Sequence, residues 1–586
     1  MKSFVPRIAA AASLLAPLIA ADWQFRSRPD LAPPRLNITI PATDAAAPGY
    51  LFLAPFAGFP DTPTEQHGPR QAAPYMFQDN GDLVWSGYGF YSIWATNFQA
   101  GRWKGEDVLF SFEGDHNAGY GHGHGHITIL DKHYETIREL RARNHKLVDK
   151  HEFRIVNEET GLIQIYQPVP RDLTEWGASP EQQWIVNAII QELTSILLEL
   201  DITTGELLFE WSSLDHVQPD GQFIPPYPSY PPRLTHTDQK PSPPEAVLPI
   251  NPGQAGSGYN SSDAWDYFHI NSVDKDADGN YLVSARDACA VHKIDGSDGS
   301  IIWRLHGKRS DFAMADGTAF CFQHHARWLA QHDDVEVISL YDNSAHGTEH
   351  AGGHQVHTAP TSSAKILRLN TTAWTADLVA AYFPPDGLRS KSQGSTQVLP
   401  GGNVLVGWGS EGALTEFAAD GTPIFHTYVD SGDLGLGAEN YRAFRYNWTG
   451  LPNEVPAIIA LQGSRGTTAY VSWNGDTETA AWRFYADSGS GSRDFLGEVQ
   501  RTSFETSLLI RDSKVTNIAA DAIDASGKVL TSTASVRVEA EILPAELNSP
   551  VPEQKAQKKI GEQSVWDKYA ILKVMRLRTA TQEADL

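Results

Sequence analysis

The sequence predicts an all-β protein: a large β-propeller built from short stacked sheets, followed by a small immunoglobulin- or fibronectin-like β-sandwich. Three observations carry this. The 586 residues include 48 Gly and 36 Pro but few long apolar-periodic stretches, which suits many short strands joined by turns. A strand, a turn holding Asp or Asn with Gly, and a second strand recur between about residues 50 and 450. Beyond 450 the pattern changes to alternating strands such as Ala469–Trp473 and Ala480–Tyr485, separated by Asn474-Gly475.

In chain order, Met1-Lys2-Ser3 and Arg7 precede an apolar run from Ile8 to Ala20, with small residues before Asp22. A basic start, a short apolar middle and a small-residue exit describe a secretory signal over 1–21, and the run is short for a bilayer span. The propeller domain is expected over 22–450. Its clearest turns are Asp295-Gly296, Asp420-Gly421, Asp278-Gly279-Asn280 and Gly401-Gly402-Asn403. Asp-Gly and Gly-Asn between apolar runs are hairpin signals, and their repetition favours a propeller over an array of sandwiches. Pro180 to Leu200 reads as an amphipathic helix, from Pro at its start and the spacing of Trp184, Ile185, Ala188, Ile189, Leu193, Ile196 and Leu197. Gln218 to Pro252, rich in Pro and Tyr, reads as a long surface loop. The sandwich is expected over 451–545, and 546–586 reads as a tail.

Composition narrows the function. A formal net charge of −25 repels nucleic acid and anionic membranes, so neither is expected as a partner, and an anionic substrate needs a locally positive pocket. Four Asn-x-Ser/Thr sequons, at Asn37, Asn260, Asn370 and Asn447, fit a secretory route. Cys289 and Cys321 are the two cysteines of the chain. They exclude a cysteine metal site and leave open one disulfide or two buried thiols.

Imidazoles supply the candidate chemistry. If Asp266–Val273 and Tyr281–Arg286 form a hairpin, His269 faces Arg286, and Asn271 shares the face of His269. An imidazole and a guanidinium on one face can hold a tetrahedral oxyanion. Phe320–Trp328 carries adjacent His324 and His325, one of which can point at a given pocket. Asp149-Lys150-His151-Glu152-Phe153 supplies another histidine.

The block from Asp263 to Phe312, including Asp-Tyr-Phe-His-Ile-Asn-Ser-Val, Leu-Val-Ser-Ala-Arg and Ile-Ile-Trp-Arg-Leu-His-Gly-Lys, resembles the fungal branch of the arylsulfotransferase family. Gln323-His324 with Ile338–Asn343, Asp149-x-His151-Glu152-Phe153, and Gly394-Ser395 through Gly409 match in the same order, so the resemblance covers roughly residues 50–545. It implies a propeller of six blades with the site in its central channel. It also implies sulfuryl transfer from an aryl sulfate to a phenol, with no nucleotide donor or other cofactor. By motif, the nucleophile falls on His324, the supporting histidines on His151 and His269, and the arginine on Arg286. Asn271 and His325 are expected to contact substrate.

Rival readings use the same residues. The three histidines of Gly121-His122-Gly123-His124-Gly125-His126, if on one strand face, resemble zinc ligands, but one strand gives poor tetrahedral geometry, and no metal is expected. Asp274, Asp276 and Asp278 resemble the start of a calcium loop, but Leu282 and Ala285 stand where later ligands belong. The His/Arg pocket also suits acid–base cyclisation or isomerisation of a phenolic metabolite, or binding without turnover.

Overall fold

The structure is a computed structural model describing residues 22–541, except 59–67, 118–120, 177, 195–205, 218, 220–255, 347–355, 431–436, 488–492 and 512–513. The secretory-signal segment, the tail and all of the Pro/Tyr loop but Pro219 lie outside the described residues.

Six sheets of four or five strands form a six-bladed β-propeller. Blade 1 holds Tyr50–Leu53, Tyr75–Phe77 and Leu83–Ser86, with Phe444–Tyr446 paired on its inner side. Blade 2 runs Ala95–Trp103, Glu106–Gly114, Gly125–Leu130, Thr136–Leu140, and blade 3 runs Phe153–Val156, Thr160–Pro170, Trp184–Thr194, Leu207–Ser212. Blade 4 runs Ile270–Lys275, Tyr281–Ala285, Ala290–Ile294, Ile301–His306. Blade 5 runs His324–His332, Val335–Asp342, Ser363–Asn370, Thr375–Tyr382, with Ala313–Met314 on its outer edge. Blade 6 runs Ser395–Val398, Val404–Gly407, Ala413–Phe417, Pro423–Tyr428, and Asn37–Ile40 pairs outside it. The ring is thus stitched twice, late residues completing blade 1 and early residues completing blade 6. Closure of this kind leaves few open strand edges.

The turns do what their residues dictate. Gly279 takes φ +92° and Gly421 φ +87°, a region open to glycine at little cost, while Asp276 Oδ1 accepts the Asn280 amide at 2.7 Å. Asp274 and Asp276 are committed to Arg154 (2.7 Å) and to Asn280, so the calcium-like spacing is a hairpin turn.

One expectation fails. The segment expected to be a helix from Pro180 to Leu200 contains a strand, Trp184–Thr194, paired along its length with Thr160–Pro170. Ile185, Val186, Ala188, Ile189, Ile190 and Leu193 are all buried. A strand covered on both faces carries a nearly continuous apolar run, and that run happens to match helical spacing.

After the ring, eight strands between Ala457 and Ala540 form a connected set with its own core, including Trp473, Trp482, Phe484 and Ile518. It meets blade 1 where Asn474 exchanges two hydrogen bonds with the Ser86 backbone, at 2.8 and 2.9 Å.

Candidate functional site

The candidate residues gather where the innermost strands begin. His151 and Glu152 lead into Phe153–Val156, His269 precedes Ile270, His324 opens its strand, Gln393 lies two residues before Ser395, and Tyr441-Arg442 precede Phe444. Blades wound in one sense start their inner strands at one end of the channel, so residues far apart in sequence converge there. Arg286 returns to the same end on the antiparallel neighbour, its amide donating to His269 O at 2.9 Å. The expected opposition of His269 and Arg286 therefore holds. It survives a bulge between Ile270 and Ser272, while the turn-proximal pairs, Lys275 with Tyr281 onward, sit one residue off the expected register.

His324 is held in one tautomer. Its Nδ1 lies 2.7 Å from Asn343 Oδ1 and 3.1 Å from Phe322 O, both acceptors, so Nδ1 carries the proton. The Asn343 amide is oriented by its own Nδ2, which donates to Ser390 O (3.2 Å) and Gln393 O (3.0 Å). Nε2 is left with its lone pair, which the Gln393 amide meets at 3.2 Å. Burial, reinforced by the Arg286 guanidinium and then by His151 and His269, pushes the His324 pKa well below the usual imidazole range. The ring is a neutral base.

His151 and His269 have carboxylate partners instead. His151 Nδ1 is 2.5 Å from Asp149 Oδ1, and His269 Nδ1 is 2.5 Å from Asp266 Oδ2. Burial opposes ionisation of Asp149, but His151, His122 and the Gly123 amide more than offset it, and the carboxyl stays below its usual range. Burial of Asp266 is likewise offset by His269 and His122. Ionised carboxylates only accept, so each Nδ1 donates and each Nε2 faces elsewhere. Burial lowers His151 to about 3, against the pull of Asp149. The two rings stand 4.9 Å apart between centroids and nearly perpendicular.

Arg286 is fixed at Asp287 Oδ1 (2.9 Å) and Lys391 O (3.0 Å), its guanidinium 5.4 Å over the Phe322 ring. Cys289 and Cys321 form a disulfide. It joins the turn after Arg286 to the segment before His324, so the two are cross-linked within three residues of each. Left-handed backbone at His269 (φ 49°), Phe322 (φ 57°), His325 (φ 53°) and Gln393 (φ 67°) rings the same end.

Two expected contacts lie elsewhere. His325 is turned to blade 6, with Nδ1 3.0 Å from Thr396 O and its ring against Phe444. Asn271, the bulge residue, is fully buried and donates to Gln323 O at 2.6 Å, tying blade 4 to blade 5. Gln323 Nε2 in turn donates to Ser284 Oγ, Ala285 O and Ala290 O, holding the segment that presents His324.

Sequence reasoning missed His122, Asp149, Asp266 and Asn343 as partners, although Asn343 closes a quoted motif, and Tyr441 altogether. The spacings Asp149-x-His151 and Asp266-x-x-His269 were visible signals; for Tyr441 there was none. The Gly-His repeat does not share one strand face. His122 Nε2 meets Asp266 (2.7 Å), His124 lies near Asp115 (3.7 Å) and His126 near Glu113 (3.5 Å). Gly123 donates to Asp149 at 2.7 Å from a place where a Cβ would come 2.8 Å from Asp115 O, which requires glycine.

Among the described residues, His122, Asp266 and His269 are the one His/Cys/Asp/Glu group of three whose ligand atoms lie within 4.8 Å of one another. Their 2.5 and 2.7 Å separations from Asp266 are hydrogen-bond distances. Tetrahedral ligands about 2.0–2.1 Å from zinc sit about 3.3 Å apart, so these shorter separations fit two imidazole N–H groups donating to one carboxylate oxygen better than a metal.

Solved structures with likeness to the chain include a Bacteroides caccae protein of unknown function, at 10% identity and TM-score 0.34, covering 68% of this chain and 98% of that one. A Lactobacillus plantarum protein is similar at 10% identity and TM-score 0.30, over 78% and 99% of the two chains. A putative 6-phosphogluconolactonase from Bacteroides uniformis is similar at 10% identity and TM-score 0.28, over 68% and 97%. Likenesses this faint say nothing of the chemistry. No curated protein matches the chain. The family profile for Arylsulfotransferase (ASST) matches residues 99–430, a stretch holding His151, His269, Arg286 and His324. That match spans more than half of the 586 residues, and the chain belongs to the arylsulfotransferase family.

Proposed function

We propose that this protein is a secreted arylsulfotransferase of the fungal branch that moves a sulfuryl group from an aryl sulfate to a phenol in two steps through His324. The observation that carries the reading is the fixed tautomer of His324. A buried imidazole with Nδ1–H held by an amide, and with Nε2 as lone pair, is a nucleophile that does not spend its basicity on a proton. In the first step Nε2 attacks sulfur, the S–O bond to the aryl group breaks, and the phenolate takes the electron pair and a proton from His269. In the second step the acceptor phenol returns that proton to His269 as its oxygen attacks sulfur. The N–S bond then breaks, and its pair returns to Nε2. Asp266, receiving from both His269 and His122, stabilises the stored proton. Neutral His151 offers Nε2 to orient the phenol hydroxyl. Arg286, permanently charged and anchored beside His324, stabilises charge spread over the sulfuryl oxygens.

Secretion is supported by the N-terminal signal pattern, by exposed sequon residues at Asn37 and Asn447, and by the Cys289–Cys321 disulfide.

Two-step transfer predicts a burst. Mixed with p-nitrophenyl sulfate and no acceptor, the enzyme releases one nitrophenolate per chain and then stalls until a phenol is added. Release that needs acceptor from the start contradicts the mechanism. No release for any aryl sulfate, with conversion of an unsulfated phenolic metabolite, favours the acid–base reading.

A further inference from the structure

Tyr441 lies outside residues 99–430, on the short connection Tyr441–Ala443 between strand Ala438–Asn440 and strand Phe444–Tyr446. The topology nevertheless carries its ring into the histidine cluster. Its centroid is 5.5 Å from that of His151 and 6.4 Å from that of His324, both near perpendicular. The Tyr441 carbonyl accepts the Gly394 amide at 2.9 Å, which fixes the neighbouring Gln393 amide against His324 Nε2. Two cations flank the ring, Lys150 Nζ at 5.7 Å and Arg442 Cζ at 5.3 Å from its centroid.

The hydroxyl has no hydrogen-bond partner among the described residues, although the residue is 1% exposed. A buried hydroxyl without a partner carries a desolvation cost, and while Tyr91 and Tyr341 share that state, Tyr441 is the one of the three whose ring lies against His151 and His324. The nearby polar groups are already committed. Glu152 is taken by Arg327 and Arg442, Asp149 by His151, Gln164 and Gly123, and the Tyr166 hydroxyl by Ile270 O. Burial keeps the Tyr441 phenol protonated, so it is a donor. A donor held unsatisfied among two site histidines and two cations fits an anionic oxygen that arrives with the substrate.

We infer that Tyr441 is a further catalytic residue, whose hydroxyl donates a hydrogen bond to an oxygen of the sulfuryl group bound beside His324. The assignment rests on the transfer reading for its role, but not for its anion-holding claim. The test is Tyr441→Phe, which removes one oxygen and keeps the ring packing. Two readouts are taken at a temperature where both proteins are folded: the rate of nitrophenolate burst, and thermal protection by inorganic sulfate. The expected result is a burst slowed on the order of 10- to 100-fold, with sulfate protection weakened in parallel. The melting temperature without sulfate should be unchanged or raised, since an unpaired hydroxyl is gone. If the parent gives no burst, the transfer reading falls, while loss of sulfate protection in the variant still upholds the hydroxyl as an anion contact. Burst and protection within twofold of the parent overturn the inference, as does a parent that sulfate does not protect. A lowered melting temperature with an unchanged burst also overturns it, by marking the hydroxyl as structural.

Discussion

The histidine cluster and the arginine knot one residue further along the chain are equally buried, yet they differ in how their hydrogen bonds close. In the knot, Glu152 receives Arg327 (2.7 Å), Arg442 (3.0 Å) and the Val273 amide (3.1 Å), and Arg442 also donates to Asn271 O (2.8 Å). Blades 1, 3, 4 and 5 meet there, and the two arginines leave Glu152 no uncommitted charge. Burial of Glu152 is more than offset by its arginines, which hold it below its usual range. In the histidine cluster each ring spends Nδ1 on a protein acceptor, and among the described residues no protein acceptor is committed to the Nε2 atoms of these three rings, that of His324 meeting the Gln393 amide. Burial therefore does not distinguish structure from function in this channel. The distinction lies in whether the fixed partners use up each group's bonding capacity.

Glu152→Gln should break the knot with the largest effect on stability. It leaves two buried guanidinium groups short of a counter-charge, a loss of about 3–5 kcal/mol readable as a shift in the urea midpoint. A change under 1 kcal/mol would show that the knot is not what ties the blades. Reduction of Cys289–Cys321, or the double Ser variant, should cost about 2–4 kcal/mol for its 32-residue separation. It should also slow the burst, because the turns bearing Arg286 and His324 lose their tie; an unchanged burst would detach the disulfide from the site.

Asn343→Asp sharpens the contrast between amide-held and carboxylate-held rings. His324 now has a depressed pKa, so its neutral form persists into acid and activity is lost as pH falls through that depressed value. A carboxylate at 343 favours the imidazolium, raises the pKa, and should move the acid limb of the burst upward by about 1–2 pH units. An unmoved limb would mean that His324 does not set it. The smallest effect is expected for His325→Asn, within about threefold of the parent burst, because that ring lies against Thr396 and Phe444.

Much of this was legible in the sequence where chemistry is local. Asp278-Gly279-Asn280 announced its hairpin, and the hairpin placed His269 against Arg286. The ordered motifs pointed to His151 and His324, whose rings both lie against Tyr441. Legibility ended where tertiary context decides. Trp184–Thr194 is covered on both faces, so it lost the alternation that marks a strand. His325 looked equivalent to His324 until a left-handed backbone and an irregular register turned its ring to blade 6. Asn343 reaches His324 across the blade-5 hairpin, where His324 pairs with Tyr341, whereas Tyr441 reaches it through ring closure, which no local pattern records.

The most direct test of the central claim is the site of sulfuryl attachment in protein quenched during the burst. Intact mass and peptide mapping should find one sulfuryl group on His324 in the parent and in His325→Asn, and none in His324→Ala. A group attached to His151, His269 or His325, or retained by His324→Ala, would contradict the account.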